Sequence, residues 1–198
     1  TQKHKVWGTY QSNKDRIMSY AGKVLIAHPN LDSTFFRKSV IFVYEDIERQ
    51  GSQGIILNKP TKYPIKQIFH AKGIEVDYNE VVHRGGPINE KAVTLFHSGE
   101  WTSANTFPIG TYSLSSDEFM IEKMSTGNAP NYWRFVGGVC GWGPGQLQAE
   151  VEGSLPHTRS RNWLTIPTTD RILFEYDGDE QWRQGLEIAS QQMVDQYF

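Results

Sequence analysis

Cysteine is almost missing from this chain: Cys140 stands alone among 198 residues. A single thiol excludes an internal disulfide and any zinc site built from several thiolates, and it suits a reducing compartment. Long apolar runs are missing too, and none approaches the roughly 20 residues that a membrane-spanning helix needs. No signal-peptide pattern is seen, so a cytoplasmic protein without a membrane partner is expected. Charge of one sign is also lacking. Lys and Arg number 20 against 22 Asp and Glu, a net charge of -2, which supplies no global field to attract nucleic acid. The chain has no phosphate-binding loop, dinucleotide fingerprint or nucleophile elbow, and no internal repeat or low-complexity tract.

What is present is a core. Hydrophobic residues make up 38% and aromatics 13%, with six Trp, which argues against disorder and for one good-sized domain over 1–198. Residues 1–20 are polar and read as an N-terminal arm. Short apolar runs at Gly22–Ala27, Ser39–Tyr44 and Gly54–Leu57 read as strands, the last stopped by Asn58-Lys59-Pro60. Pro64–Ala71 has the spacing of a short helix, and Val81–Arg84, Val93–His97 and Ile109–Leu114 read as further strands. Ser115 or Ser116 is placed to cap a helix with Phe119, Met120 and Met124 inward. Ile172–Tyr176 reads as a last strand. Glu180–Val194 reads as a closing helix with Trp182, Leu186, Ala189 and Met193 on one stripe. Strands and helices are interspersed without βαβ alternation, which predicts an α+β fold.

One stretch stands out, Phe135 to Glu150. An apolar run, read as a strand over Tyr132–Val136, meets Gly137, Gly138, Gly141, Gly143 and Gly145. Gly137 and Gly138 predict a bulge or a close backbone approach, and Gln146–Val151 continues as helix. A strand-turn-helix junction of this kind suits an anion at the helix start. The plainer alternative is that the glycines let Trp142 and the helix pack closely on a sheet, and we weigh it more heavily.

This stretch resembles the signature of the AlgH/YqgE family of bacterial proteins, G-Y-A-G-W-G-x-G-Q-L-E-x-E. Gly138, Gly141, Trp142, Gly143, Gly145, Gln146, Leu147 and Glu150 match; Val139, Cys140 and Gln148 stand where the family usually has Tyr, Ala and Glu. The resemblance continues through Leu25-Ile26-Ala27-His28-Pro29, Phe36-Arg37-Lys38-Ser39-Val40, Gly51 to Pro60, Gly85-Gly86-Pro87-Ile88, Val93 to His97, Ser115 to Phe119 and Trp163-Leu164. Lys38 replaces the usual Arg, and Asp46 stands near a usual His. The likeness spans residues 22–186, with 152–161 reading as an inserted loop. It implies a mixed, largely antiparallel sheet that curls into a small barrel with helices around it. Family members are labelled transcriptional regulators, without an established biochemical activity.

Three functional readings follow. The first is a non-catalytic binding or regulatory protein, whose cleft is walled by Asn58-Lys59-Pro60, Gly85-Gly86-Pro87 and Gly141-Trp142-Gly143, with Gln146 beside it. Its ligand is a small anionic molecule or a protein partner segment, held by Arg37, Lys38, Asn58 and Lys59 with Gly86 and Gly141. The second is a hydrolase or transferase acting on an anionic small molecule, with Arg37 or Lys38 as clamp and His97 as base. The third is a nucleic-acid-binding regulator using His157, Arg159 and Arg161, a footprint of three charges that argues against it. Cys140 occupies a position where the family has Ala, which argues against a nucleophile. His28, His83 and His97 lack a metal-ligand spacing. No catalytic residue, metal or cofactor is assigned, and the oligomeric state is left open.

Overall fold

The computed structural model describes residues 19–154 and 160–197. The expected arm, up to residue 18, and residues 155–159 of the expected insertion, with His157 and Arg159, lie outside the described residues. Among the described residues ten strands build one curled, largely antiparallel sheet, a half-barrel accompanied by helices, in keeping with an α+β fold. In chain order they are β1 Val24–Ala27, β2 Val40–Ile47, β3 Gly51–Ile56, β4 Pro60–Pro64, β5 Val81–Arg84, β6 Ile88–Ser98, β7 Thr106–Ile109, β8 Tyr112–Ser115, β9 Trp133–Trp142 and β10 Trp163–Ile166. The main path runs β10-β1-β2-β3-β9-β6-β8-β7, with β5 added to β9 in parallel and β4 added to β5. The helices are α1 Lys66–His70, α2 Glu118–Ser125, α3 Gln146–Glu152 and α4 Gly178–Tyr197, with a π-helical turn at Arg171–Glu175.

The glycine-rich stretch is where the structure departs most from the expected boundaries. The strand does not end at Val136; β9 runs on through Gly137, Gly138 and Gly141 to Trp142. It has to, because it serves two neighbours in turn. Val136 and Gly137 pair with His83 and Arg84 of β5, and Cys140 to Trp142 pair antiparallel with Gly54 to Ser52 of β3. At the changeover Gly85-Gly86 lies against the strand: Gly85 N–H donates to Gly137 O and Ile56 N–H donates to Gly85 O, both at 2.8 Å. A Cβ on Gly85 would overlap the Gly138 carbonyl, one on Gly86 the Val139 carbonyl, and one on Gly138 the Gly86 carbonyl. Gly138 also has φ +86°, in the left-handed region. These glycines are required by backbone meeting backbone.

Three apolar cores follow. Val24, Ile26, Phe42, Ile55, Phe96 and Val136 fill the inner face of the half-barrel, covered by α4 and the π-helical turn through Ala189, Ile172 and Leu173. On the outer face Leu25, Ile41, Trp142 and Trp163 pack against Leu147 and Val151 of α3. Under α1 and α2, Phe69 and Met120 meet Leu95 and Phe135.

Other boundaries differ for identifiable reasons. Ile109–Leu114 is not one strand but part of a β7–β8 hairpin that turns at Gly110, φ +63°. Pro60 begins β4 rather than a loop, on a strand whose pairing with β5 is irregular. Asp117 caps α2, accepting from Met120 N–H at 2.7 Å, and Phe119 is 53% exposed while Met120 and Met124 are buried. The expected strand Ile172–Tyr176 is instead taken up mostly by the π-helical turn Arg171–Glu175. Of the expected α4 stripe Ala189 is buried and Trp182 and Leu186 are half-buried against the core, but the fully buried line runs through Gln181, Gly185 and Ala189 and Met193 is exposed. Gly185 is the reason: Ile26 Cδ1 sits where its Cβ would be, so the helix approaches the sheet on that side.

Gly138→Ala is expected to lower the unfolding free energy by more than about 2 kcal/mol, because overlap adds to left-handed strain. Gly145→Ala has φ +76° but open space around it, and is expected to cost about 1 kcal/mol. Urea denaturation of the pair checks the difference.

Candidate functional site: a basic shelf beside the N-terminus of helix α4

Part of the predicted site assembles. β1 ends at Ala27, and the chain turns through His28-Pro29-Asn30 before re-entering the sheet at Val40. Ser33 Oγ accepts from Phe36 N–H at 3.1 Å and Ser33 O from Arg37 N–H at 3.0 Å, which winds the return into a tight turn. Lys38 closes it in the left-handed region, φ +56°. Asn58 holds this turn from below. Its Oδ1 accepts from Val40 N–H at 2.8 Å, and its Nδ2 donates to Lys38 O at 2.8 Å and to Gly178 O at 2.9 Å. One buried amide thus joins the β1–β2 connection, the end of β3 and the start of α4. Lys59 Nζ donates to Arg37 O at 2.8 Å. Trp182 donates its indole N–H to Ala27 O at 2.8 Å, and Lys38 Nζ lies 5.8 Å from its ring centroid and 3.4 Å from Asp179 Oδ2.

The result is a cavity of about 150 Å³ lined by His28, Leu31, Asp32, Arg37, Lys38 and Trp182, among others. Arg37 is exposed, and its guanidinium has no hydrogen-bond or carboxylate partner among the described residues. Lys59 has its pKa lowered by burial and then by the charges of Arg37 and Lys38, against a raising influence from Asp179. The shelf is a place of excess positive charge.

The remaining predicted residues lie elsewhere. Gly85 and Gly86 are buried at the β9 crossing. Gly141 and Trp142 line a different cavity, of about 240 Å³, with Glu45, Ile47 and Ile88. Neither Asn58 nor Gly86 lines that one, so among the described residues these two cavities do not bring Asn58, Gly86 and Trp142 together. Gln146 accepts from Gly143 N–H at 3.0 Å and closes the turn before α3. Trp142 packs edge-on against Trp163 with ring centroids 6.4 Å apart.

His97 is fully buried. Its Nδ1 lies 2.8 Å from Ser98 O, so it carries the proton, and its Nε2 accepts from Ser115 Oγ at 2.7 Å. Burial holds its pKa below the ordinary histidine value. Cys140 is buried as well, and burial pushes its thiol up to about 12. Neither group is placed or poised for acid-base or nucleophilic work. Among the described residues no group of three or more His, Cys, Asp and Glu could hold a metal ion. No described helix is long and apolar enough to cross a membrane.

Sequence reasoning missed the charged network behind the shelf. His83 Nε2 lies 2.8 Å from Asp177 Oδ2. Arg134 donates to Leu57 O at 2.7 Å, to Gln181 Oε1 at 2.9 Å and to Tyr176 O at 3.0 Å. Gln181 in turn donates to Ile172 O and Leu173 O. A lone Arg inside the aromatic run Tyr132-Trp133-Arg134-Phe135 was the available signal, since a buried charge demands partners.

A model of the AlgH-like family matches residues 24–194. The chain belongs to the AlgH-like family. Similar relatives include a UPF0301 protein of Gluconobacter oxydans, 30% identical over 174 residues, 85% of this chain and 90% of that one. A UPF0301 protein of Xanthomonas euvesicatoria is 29% identical over 169 residues, 82% and 85% of the two chains. Among solved structures, the AlgH protein from Pseudomonas aeruginosa superposes with a TM-score of 0.70 at 22% identity, covering 91% of this chain and 92% of that one. A Corynebacterium diphtheriae protein gives 0.65 at 20% identity, covering 82% and 83%. These likenesses establish the AlgH-like fold and carry no biochemical activity with them.

Two outcomes test this anatomy. Asn58→Ala is expected to cost about 2–3 kcal/mol in urea denaturation, because one buried and two partly buried backbone groups lose their partner. Burial alone would raise the Asp177 pKa, but the hydrogen bond and charge of His83, the charge of Arg134 and the Gly178 N–H together lower it. A lowered carboxylate pKa contributes stability that is present above the unfolded value and lost as pH falls through the folded one. Asp177→Asn is expected to flatten the acid side of the stability-pH curve, and a midpoint that still falls as steeply with acid would contradict this.

Proposed function

We propose that this AlgH-like protein is a non-catalytic binding protein with a regulatory role in the cytoplasm. Its ligand, a small molecule or a partner segment, presents a single phosphate or carboxylate to the shelf beside Trp182. One observation carries the reading: Arg37 stands free of any described partner in a cavity where Lys38 is also at hand. A guanidinium with open donors is the side chain best suited to a planar or tetrahedral anion. The volume, about 150 Å³, suits one anionic group rather than a whole nucleotide, since sites for drug-sized ligands run from about 300 Å³. Asp32 and Asp179 at the rim disfavour extended polyanions and so argue against a nucleic-acid reading. The hydrolase or transferase reading required His97 beside the clamp, and that ring is sealed in the core.

The test is a thermal-shift and calorimetric titration with inorganic phosphate, phosphoserine and citrate. At least one is expected to raise the melting temperature, and Arg37→Gln is expected to weaken its binding about tenfold. Failure of all three anions to bind, or binding indifferent to Arg37→Gln, overturns the reading.

A further inference from the structure

A second surface lies at the rim of the inner face, and none of the shelf residues contributes to it. β2 carries a bulge: Val43 pairs with Gly54 and Glu45 with Gln53, which leaves Tyr44 without a register partner. A bulge re-aims the side chains around it, and here both Tyr44 and Glu45 line a recess of about 220 Å³. Apart from Thr94 its other walls are apolar, formed by Ile55, Phe107, Leu114 and Val139. Phe107 is 51% exposed. Tyr44 donates its hydroxyl to Gln53 Oε1 at 2.6 Å. Burial and the Glu45 carboxylate push Tyr44 up to about 12, so it stays neutral.

Glu45 also lines the neighbouring 240 Å³ cavity, with Gln50, Gln53, Gly141 and the exposed Ile88. The two recesses therefore share one half-buried carboxylate. That carboxylate has no hydrogen-bond or ionic partner among the described residues. Gly141 gives the second recess a flat floor: a Cβ there would lie 3.1 Å from Ile88 Cδ1. The family's Gly-Trp-Gly element, which the anion shelf does not use, thus forms part of a groove.

We infer that this groove receives an extended segment of a partner protein in which a Lys or Arg neighbours an apolar side chain. The apolar residue enters the recess walled by Phe107, Leu114 and Val139, and the cation meets Glu45. Charge complementarity selects the cation, because a half-buried unpaired carboxylate is satisfied by a charge-assisted hydrogen bond. The paired recesses select a chain over a small amine. An extended segment turns residues i and i+2 to the same face, one for each side of Glu45, whereas a small amine fills one recess only. Gln50 and Gln53 also line the second recess, and side-chain amides of this kind are suited to pairing with a peptide backbone.

The test uses the full chain, isotopically labelled, titrated with a blocked phenylalanyl-seryl-arginyl peptide and followed by amide NMR. Controls replace the arginine by glutamate, replace the phenylalanine by alanine, or use phenethylamine alone. Saturable shifts are expected at Glu45, Gln53, Val139 and Gly141, and both control peptides are expected to bind about tenfold more weakly. Glu45→Gln and Phe107→Ala are expected to weaken the peptide by a similar factor; both side chains are partly solvated, and an unchanged melting temperature confirms the fold. The inference is overturned by any of three results. These are no saturable shift at millimolar peptide, equal binding by the glutamate peptide or to Glu45→Gln, and phenethylamine binding as tightly as the peptide.

Discussion

The contact of Gly85-Gly86 with Gly137 to Cys140 is the constraint on which the rest of this molecule depends. One edge of β9 passes from β5 to β3, and no side chain fits between the two backbones where it does so. The hydrogen bonds at Gly85 fasten the changeover from both sides. Without it the sheet could not curl, because β3 and β5 could not share one edge of a single strand. Curling gives the sheet an inner face that α4 covers and an outer face on which α3 and Trp142 pack. Both proposed binding surfaces are consequences. The shelf exists because α4 is drawn against the β1–β2 connection, and the groove exists because β9 brings Gly141 beside the bulge of β2.

Polar groups then decide how the covering segment is held. Asn58, Arg134 and Gln181 spend their hydrogen bonds on backbone groups, and Arg134 also on Gln181. Buried polar groups of this kind contribute little net energy when satisfied and cost much when one partner goes. They therefore specify where α4 starts more than they raise overall stability. His83 and Asp177 belong to the same arrangement and link β5 to the residue just before α4. The Arg37 guanidinium differs from all of these in having no such duty, and its proposed binding role rests on that contrast.

The apolar runs and family motifs made most strands legible, because buried strands announce themselves by composition alone. The preference for close packing over ligand binding at the glycines was also legible, since Gly137 and Gly138 have no place in an ordinary strand. Local signals failed where tertiary contacts overrode them. Ile172–Tyr176 has strand composition, but its residues up to Glu175 wind into a π-helical turn, where Gln181 Nε2 donates to Ile172 O and Leu173 O. Phe119 and Met193 fit an apolar helical stripe by spacing, yet nothing packs over them closely enough to bury them. The stripe of α4 follows Gly185, a residue that hydrophobic spacing ignores and that close approach to Ile26 demands.

The order of residues alone determined the α+β class and the family; for Arg37, Lys38, Asn58 and Lys59 it offered only strand ends that could converge. Class and family depend on composition and on neighbours a few positions apart. The folded chain settled that Asn58 and Lys59 brace the shelf, that His97 and Cys140 are sealed, and that Trp142 belongs to a separate groove. Those outcomes depend on which distant backbones touch. A side chain's chemical type says what it can bind, but its accessibility and unspent hydrogen bonds are set by segments far along the chain.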